Sequence, residues 1–244
     1  ELVELLRQRR YDLTPSYRQE YVSYLKYYLF VGGMPEAVEA FRTGRDFAAA
    51  REAQRRVLSV YEQSFTKYAP ADILPRIRML WDSIPRQLDR ENRKFVFGAM
   101  KEGARAREFE PALFWLTDNG LARDVHRASV PEPPLSASED PRAFKLYLPD
   151  VGLLGCLLGL RQDALLDGNA VFHAYHGALT EQYVLQQLDA LDRLEICYWI
   201  APRGTAEIEF LADNCIHAIP IEVAAEQNLQ SKKLKVFRDR FQPK

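Results

Sequence analysis

Apolar residues recur at helical spacing along the first half of the chain and alternate with polar ones near its end. A 3.6-residue period buries one face of a helix and a period of 2 one face of a strand. The switch therefore predicts a mixed α/β fold (α+β overall), helices first. Residues 1–68 read as helical. Tyr21 to Phe30 is rich in aromatic residues and holds no turn former, and a long helix is expected from about Asp46 to Phe65. Val31-Gly32-Gly33-Met34-Pro35 interrupts them, since two glycines allow a sharp reversal and Pro35 suits the first turn of a new helix, Glu36 to Phe41. Pro70 closes the long helix.

Residues 72–130 predict three short helices and a β-wing. Ile73, Ile77, Leu80 and Trp81 make the first amphipathic, Pro85 opens a second segment, and Phe109 to Asn119 forms the third, ended by Gly120. Leu121 to Ser129 alternates as a wing strand would, and the order resembles a winged helix-turn-helix. Residues 131–142 hold four of the 14 prolines and read as a linker or long loop. A short strand, Phe144 to Leu148, and a helix, Val151 to Leu160, follow. The last third predicts a helix (Ala178 to Leu191), three strands (Leu194 to Ile200, Ala206 to Leu211, His217 to Val223) and a basic closing helix, Ser231 to Phe241.

Composition narrows the function classes. The 244 residues are 47% hydrophobic and 27% charged, ordinary for one large or two small domains. No apolar run reaches the roughly 18 residues a membrane span needs, and no signal peptide is visible. Cys156, Cys197 and Cys215 are far apart without a CxxC pair, which argues against zinc and against a disulfide framework and fits a reducing, cytoplasmic setting. With a net charge of −1, any nucleic-acid surface must be a local patch.

Nucleotide hydrolysis within these residues is not expected. A phosphate-cradling loop needs G-x-x-x-x-G-K-[ST]; none occurs, and Gly32-Gly33 leads into Met-Pro-Glu without a lysine. No G-x-S-x-G nucleophile motif occurs either, and His126, His173, His176 and His217 lie in ordinary contexts.

An acidic constellation near the C-terminal end carries the candidate chemistry. Glu181 shares a helical face with Val184, Leu185 and Leu188. An acid on an apolar stripe is costly to bury unless paired or bound to a cation, and the other reading is a first-turn acid facing the helix dipole. Period-2 alternation places Glu207 and Glu209 on one strand face, with Ile208 and Phe210 on the other. If Asp213 to Ile216 is the loop, Glu209 falls opposite Pro220 and Glu222 is its diagonal neighbour. Carboxylates so placed suit a shared Mg²⁺, which activates water and stabilises a displaced phosphate oxygen.

Charge points two ways on nucleic acid. The expected recognition helix, Glu108 to Asp118, has three acids and no base, which suits packing or a protein partner better than a major groove. Just before it, Arg86, Arg90, Arg93, Lys94, Lys101, Arg105 and Arg107 face only Asp89, Glu91 and Glu102, and the closing helix adds Lys232, Lys233 and Lys235. These bases suit phosphate tracking, or are solvated helix faces.

Several segments together resemble the C-terminal half of a prokaryotic (archaeal-type) AAA-type ATPase family that carries a domain of unknown function after its ATPase core. They are Val31-Gly32-Gly33-Met34-Pro35-Glu36-Ala37-Val38, Ser64-Phe65-Thr66-Lys67-Tyr68, Ser83-Ile84-Pro85-Arg86-Gln87-Leu88 with Asn92-Arg93-Lys94-Phe95, and Phe144-Lys145-Leu146-Tyr147 with Asp150-Val151-Gly152-Leu153-Leu154. The resemblance implies a P-loop core before Glu1 that binds and hydrolyses ATP, a helical lid-like segment at 1–68, a winged-helix domain with its Pro-rich linker at 69–149, and a restriction-endonuclease-like α/β domain at 150–244. That last fold carries a PD-(D/E)XK pattern, in this family Glu-x-Asp-Phe followed by Glu-Val-Lys. Here Glu207-Ile208-Glu209-Phe210 places Glu209 where Asp is usual, and Glu222-Val223-Ala224 places Ala224 where Lys is usual. Glu181 matches the family's helix glutamate.

The resemblance thus implies a vestigial nuclease-like site of Glu181, Glu209 and Glu222, with Glu209 and Glu222 as metal ligands for Mg²⁺. Losing one electrostatic stabiliser of the Lys type costs on the order of 10²–10³ in rate. Lys232 or Lys233 is the candidate substitute from the next helix. The expectation is a non-catalytic regulatory region of an AAA-type protein that binds DNA or a protein partner, assembles through the AAA core, and needs no cofactor of its own. A metal-dependent nuclease and a pure protein-interaction module are the rivals.

Overall fold

The computed structural model describes residues 2–90, 94–163, 170–191, 194–204, 206–223 and 231–242; for 2, 6, 11, 14, 170–176 and 203 it describes the backbone alone. Six helices come first: α1 (Leu2–Arg7), α2 (Arg18–Val31), α3 (Pro35–Arg42), α4 (Phe47–Tyr68), α5 (Leu74–Leu88) and α6 (Ala106–Asp118). Then come β1 (Arg123–Ala128), β2 (Glu139–Tyr147), α7 (Val151–Leu157), α8 (Ala170–Asp189), β3 (Glu195–Ile200), β4 (Glu207–Asp213), β5 (Ala218–Ile221) and α9 (Lys232–Phe241). The fold is α/β, as the periodicity predicts. Among the described residues no helix is long and apolar enough to cross a membrane.

Local chemistry accounts for the helix ends. Asp46 caps α4 by accepting from the N–H groups of Ala48 and Ala49, satisfying donors that a helix start leaves open. Pro35 opens α3, where its missing N–H costs nothing. Pro85, expected to open a new segment, instead lies inside α5. It falls in the last turn, so only one helical bond is lost, and Ile84, Gln87 and Leu88 around it are buried.

The five strands form one sheet in the order β2-β1-β3-β4-β5. β1 and β3 run parallel and the other neighbours antiparallel. β1, expected as a wing strand, is an interior strand of this sheet, with Val125 and Ala128 fully buried. β2 begins at Glu139, inside the stretch expected as a linker.

Each sheet face has its own core. The larger spans α2 to α8 and takes Tyr147, Tyr198 and Phe210 from the sheet. The smaller gathers Cys197, Trp199, Ile208 and Leu211 under Phe237 of α9, whose ring lies 5.3 Å from that of Trp199.

Two corrections to the strand reading set up the site. Cys197 pairs with Leu211 but Trp199 with Ile208, so β4 carries one extra residue opposite Tyr198. This β-bulge breaks strict alternation: Ile208 joins the smaller core with Leu211, while Phe210 turns to the larger one. The β4–β5 register also differs. Phe210 pairs with Ile221 and Leu211 with Pro220, so the turn is Asn214 to His217, and Glu209 falls opposite Glu222 rather than diagonal to it. Asp213 Oδ1 accepts from Cys215 N–H and Asn214 Oδ1 from the Ile216 and His217 N–H groups, fixing that turn.

Candidate functional site

At the sheet, acids from α8, from β4 and from the residue after β5 lie near two lysines, one on β2 and one on α9. Lys145 of β2 is fully buried, a rare place for an ammonium group. Its Nζ lies 2.5 Å from Glu207 Oε1 and 3.6 Å from Glu181 Oε2, and 5.1 Å from the centre of the Tyr198 ring. The Tyr147 hydroxyl donates to Glu181 Oε2 at 3.0 Å. Two carboxylates and an aromatic face thus offset the cost of taking this cation out of water.

Glu181 is therefore a paired acid. The first-turn reading does not hold, because α8 begins at Ala170 and places Glu181 in mid-helix, away from the helix's positive end.

A second lysine closes the other end. Glu209, buried on β4, accepts from Lys233 Nζ of α9 at 2.5 Å and from Val223 N–H at 3.1 Å. Lys233 is half-buried, Lys232 and Lys235 exposed. Ser231 caps α9 by accepting from Leu234 N–H, and Phe237 anchors the helix, so Lys233 reaches Glu209 on the sheet while its side chain stays 43% exposed.

The electrostatics follow from burial and crowding. Burial pushes the Glu207 carboxyl up; Lys145 opposes this, and repulsion from Glu181 and Glu209 adds to it. Glu222, half-buried, is also raised by burial and by Glu209, against Lys233. Burial would lower the Lys233 ammonium, but Glu209, Glu222 and Glu207 outweigh it and raise it. Burial raises the Tyr198 phenol further, with Glu207 adding to the shift.

The structure brings Glu209 and Glu222 together around Lys233, and couples Glu181 to Glu207 through Lys145. Glu207, seen in the sequence only as a strand-face acid, links the two groups, since it feels both Glu181 and Glu209. Lys145 and Tyr147 were missed as site residues. Their signal was present: a lysine inside Ala143-Phe144-Lys145-Leu146-Tyr147 is a charge at a core position, and period 2 puts it on the face of Tyr147. Ala224 lies outside the described residues.

A divalent cation would need the inner oxygens of these carboxylates. Those of Glu181, Glu207 and Glu209 are already engaged by Lys145, Tyr147, Lys233 and the Val223 N–H. Among the described residues no group of three or more His, Cys, Asp or Glu is arranged to hold a metal. In this arrangement Lys145 and Lys233 take positions that Mg²⁺ would need on Glu181, Glu207 and Glu209.

The candidate phosphate-contacting bases are dispersed. Arg86 and Arg90 border one groove of 360 Å³ with Met79 and Met100. Lys101 borders another, of 470 Å³, beside Asp72, Glu102 and Glu108. Arg105 and Arg107 are exposed at the start of α6, Lys94 is half-buried, and Arg93 lies outside the described residues. On α6 itself Phe109, Ala112 and Leu116 are buried, and Phe114 is 66% exposed.

The family model described as "Domain of unknown function (DUF8612)" matches residues 22–164. No curated protein and no solved structure matches. The matched span includes Lys145 and Tyr147 and stops before Glu181, Glu207, Glu209 and Lys233.

Proposed function

We propose that this chain, which belongs to the DUF8612 family, is a binding and regulatory region rather than a nuclease. One observation carries the reading: the acids that would hold a catalytic metal are closed from within by Lys145 and Lys233. Ion pairs of this kind hold the sheet, α8 and α9 in register, a structural role for residues laid out like a hydrolytic site. With the motif resemblance to AAA-type ATPases, the chain couples the ATP cycle of a P-loop core to a nucleic-acid or protein partner in the cytoplasm. The Arg86–Arg90 groove is the surface for phosphate contact, and the exposed Phe114 on acidic α6 the surface for a protein.

The test incubates the chain with single- and double-stranded DNA and Mg²⁺ or Mn²⁺, beside a Glu209→Gln variant. No metal-dependent cutting by either protein is the expected result. Cutting that vanishes in the variant would overturn the proposal. It would favour a second reading, in which Lys233 beside Glu209 and Glu222 replaces the lysine missing at Ala224 in a metal-dependent nuclease. Binding without cutting that weakens steeply with salt identifies nucleic acid as the partner.

A further inference from the structure

Lined by none of the residues of the acid cluster, a pocket of 660 Å³ lies between α4, α7 and the segment after α7. Its lining includes Arg51, Arg55 and Arg161, against a single carboxylate, Asp163. Arg51 is 9% exposed. Its guanidinium donates to Gln54 Oε1 at 2.7 Å, to Leu160 O at 2.8 Å and to Gly152 O at 3.4 Å, all neutral acceptors. It lies 4.1 Å from the centre of the Phe30 ring. Among the described residues no carboxylate pairs with it, and within them a buried cation lines this pocket without a carboxylate partner. Arg55 and Arg161 meet Glu52 and Asp163 in exposed pairs, which are weak and readily exchanged for a better-charged ligand.

We propose that this pocket binds a small phosphorylated ligand. Arg51 offers the phosphate its remaining guanidinium N–H groups at the floor, held in place because Gln54 and two backbone carbonyls already take the others. Arg55 and Arg161 complete the charge at the rim, and Phe47 and Leu160 offer an apolar wall to the organic part. The volume falls in the range of small-ligand sites, roughly 300–1,000 Å³. Burial lowers the Arg51 guanidinium, a shift that an anion would reverse.

Cys156 lines this pocket and is half-buried, whereas Cys215 is exposed elsewhere, which gives a built-in probe and its control. The chain is alkylated with iodoacetamide over a range of pyrophosphate concentrations, and modification of each cysteine is followed by mass spectrometry. Pyrophosphate is expected to slow alkylation of Cys156 in a saturable way and leave Cys215 unchanged. Half-protection should need about tenfold more pyrophosphate in an Arg55→Gln/Arg161→Gln variant, as losing charge-assisted bonds predicts. Should that double variant fold poorly, Arg161→Gln alone, at a side chain 79% exposed, carries the same comparison. No protection of Cys156, equal protection of Cys215, or protection that the variants leave unchanged would overturn the proposal. Protection by a short DNA duplex but not by pyrophosphate would also overturn it, and would assign the pocket to a nucleic-acid backbone.

Discussion

The Gly33 N–H donates to Asp150 Oδ2 at 2.6 Å, joining the turn after α2 to the start of α7 across most of the helical half. The same carboxylate caps α7 through Leu153 N–H and accepts from Gln186 of α8. Gly32 beside it has φ +72°, and a Cβ there would lie 2.2 Å from Asp150 Oδ1. Gly32→Ala therefore meets both backbone strain and a blocked space. A loss of about 2–4 kcal/mol is expected in chemical denaturation. Asp150→Ala should cost a similar amount by stripping three donors of their acceptor. Wild-type stability in Gly32→Ala would show that the turn relaxes around the added methyl.

Lys145→Met leaves Glu181 and Glu207 facing each other without their shared cation. A loss of roughly 3–5 kcal/mol is expected, the usual result of breaking a buried pair from one side. Adding Glu181→Gln and Glu207→Gln to the same chain should restore most of it. If the triple variant is no more stable than Lys145→Met alone, the lysine acts through packing and not charge.

Stability should carry a signature of the Asp124–His126 pair, 2.8 Å apart. The hydrogen bond that His126 donates to the Asp124 carboxylate raises the imidazole above its ordinary 6.5, against burial. The stability this gives is full below 6.5 and fades as pH rises through the raised value. Burial pushes Asp124 up, but His126, a backbone hydrogen bond and Arg123 together outweigh it and hold the carboxyl below its ordinary 3.8. That contribution is present above 3.8 and fades as pH falls through the lowered value. The pair contributes most between these limits, so His126→Gln should lower stability there and flatten the slopes just above 6.5 and just below 3.8. An unchanged profile would discount the pair.

Phe237 is the buried residue that fastens α9 to the sheet, edge-on to Trp199. Phe237→Ala should cost about 3–5 kcal/mol. Because Lys233 rides on the same helix, the variant should also release Glu209 from its partner. Hydrogen exchange is expected to rise in α9 while α2 to α7 keep their protection. A uniform rise across the chain would mean that α9 does not open separately.

Elements with a local cause were legible in the sequence. The Gly32-Gly33-Met34-Pro35 turn carries its own geometry, and the run of helix, three strands and basic helix at the end follows from period and length. What depends on a partner distant along the chain was not. One extra residue on β4 redirects Phe210, and no pattern within Glu207 to Asp213 announces it. The Glu209–Glu222 alignment turned on whether the β4–β5 turn starts at 213 or 214, a choice that Asp213 and Asn214 settle by bonding to turn N–H groups. The residues around Glu181 leave two readings open, an acid in need of a partner or a first-turn acid, because Lys145 belongs to a distant strand and only the assembled fold brings the two together.

The parallel seam between β1 and β3 pairs His126 with Cys197 and Arg127 with Tyr198. On one side of it β1 and β2 can zip from their own connection, and on the other β3, β4 and β5 can grow as consecutive hairpins. The seam itself must bring together residues far apart along the chain, and closing so long a loop is slow. By loop closure alone, the two antiparallel pieces are expected to form first and their junction last. A chain cut between β2 and β3 would yield two fragments, each holding its own hairpins, whose reassociation is a bimolecular version of that final step.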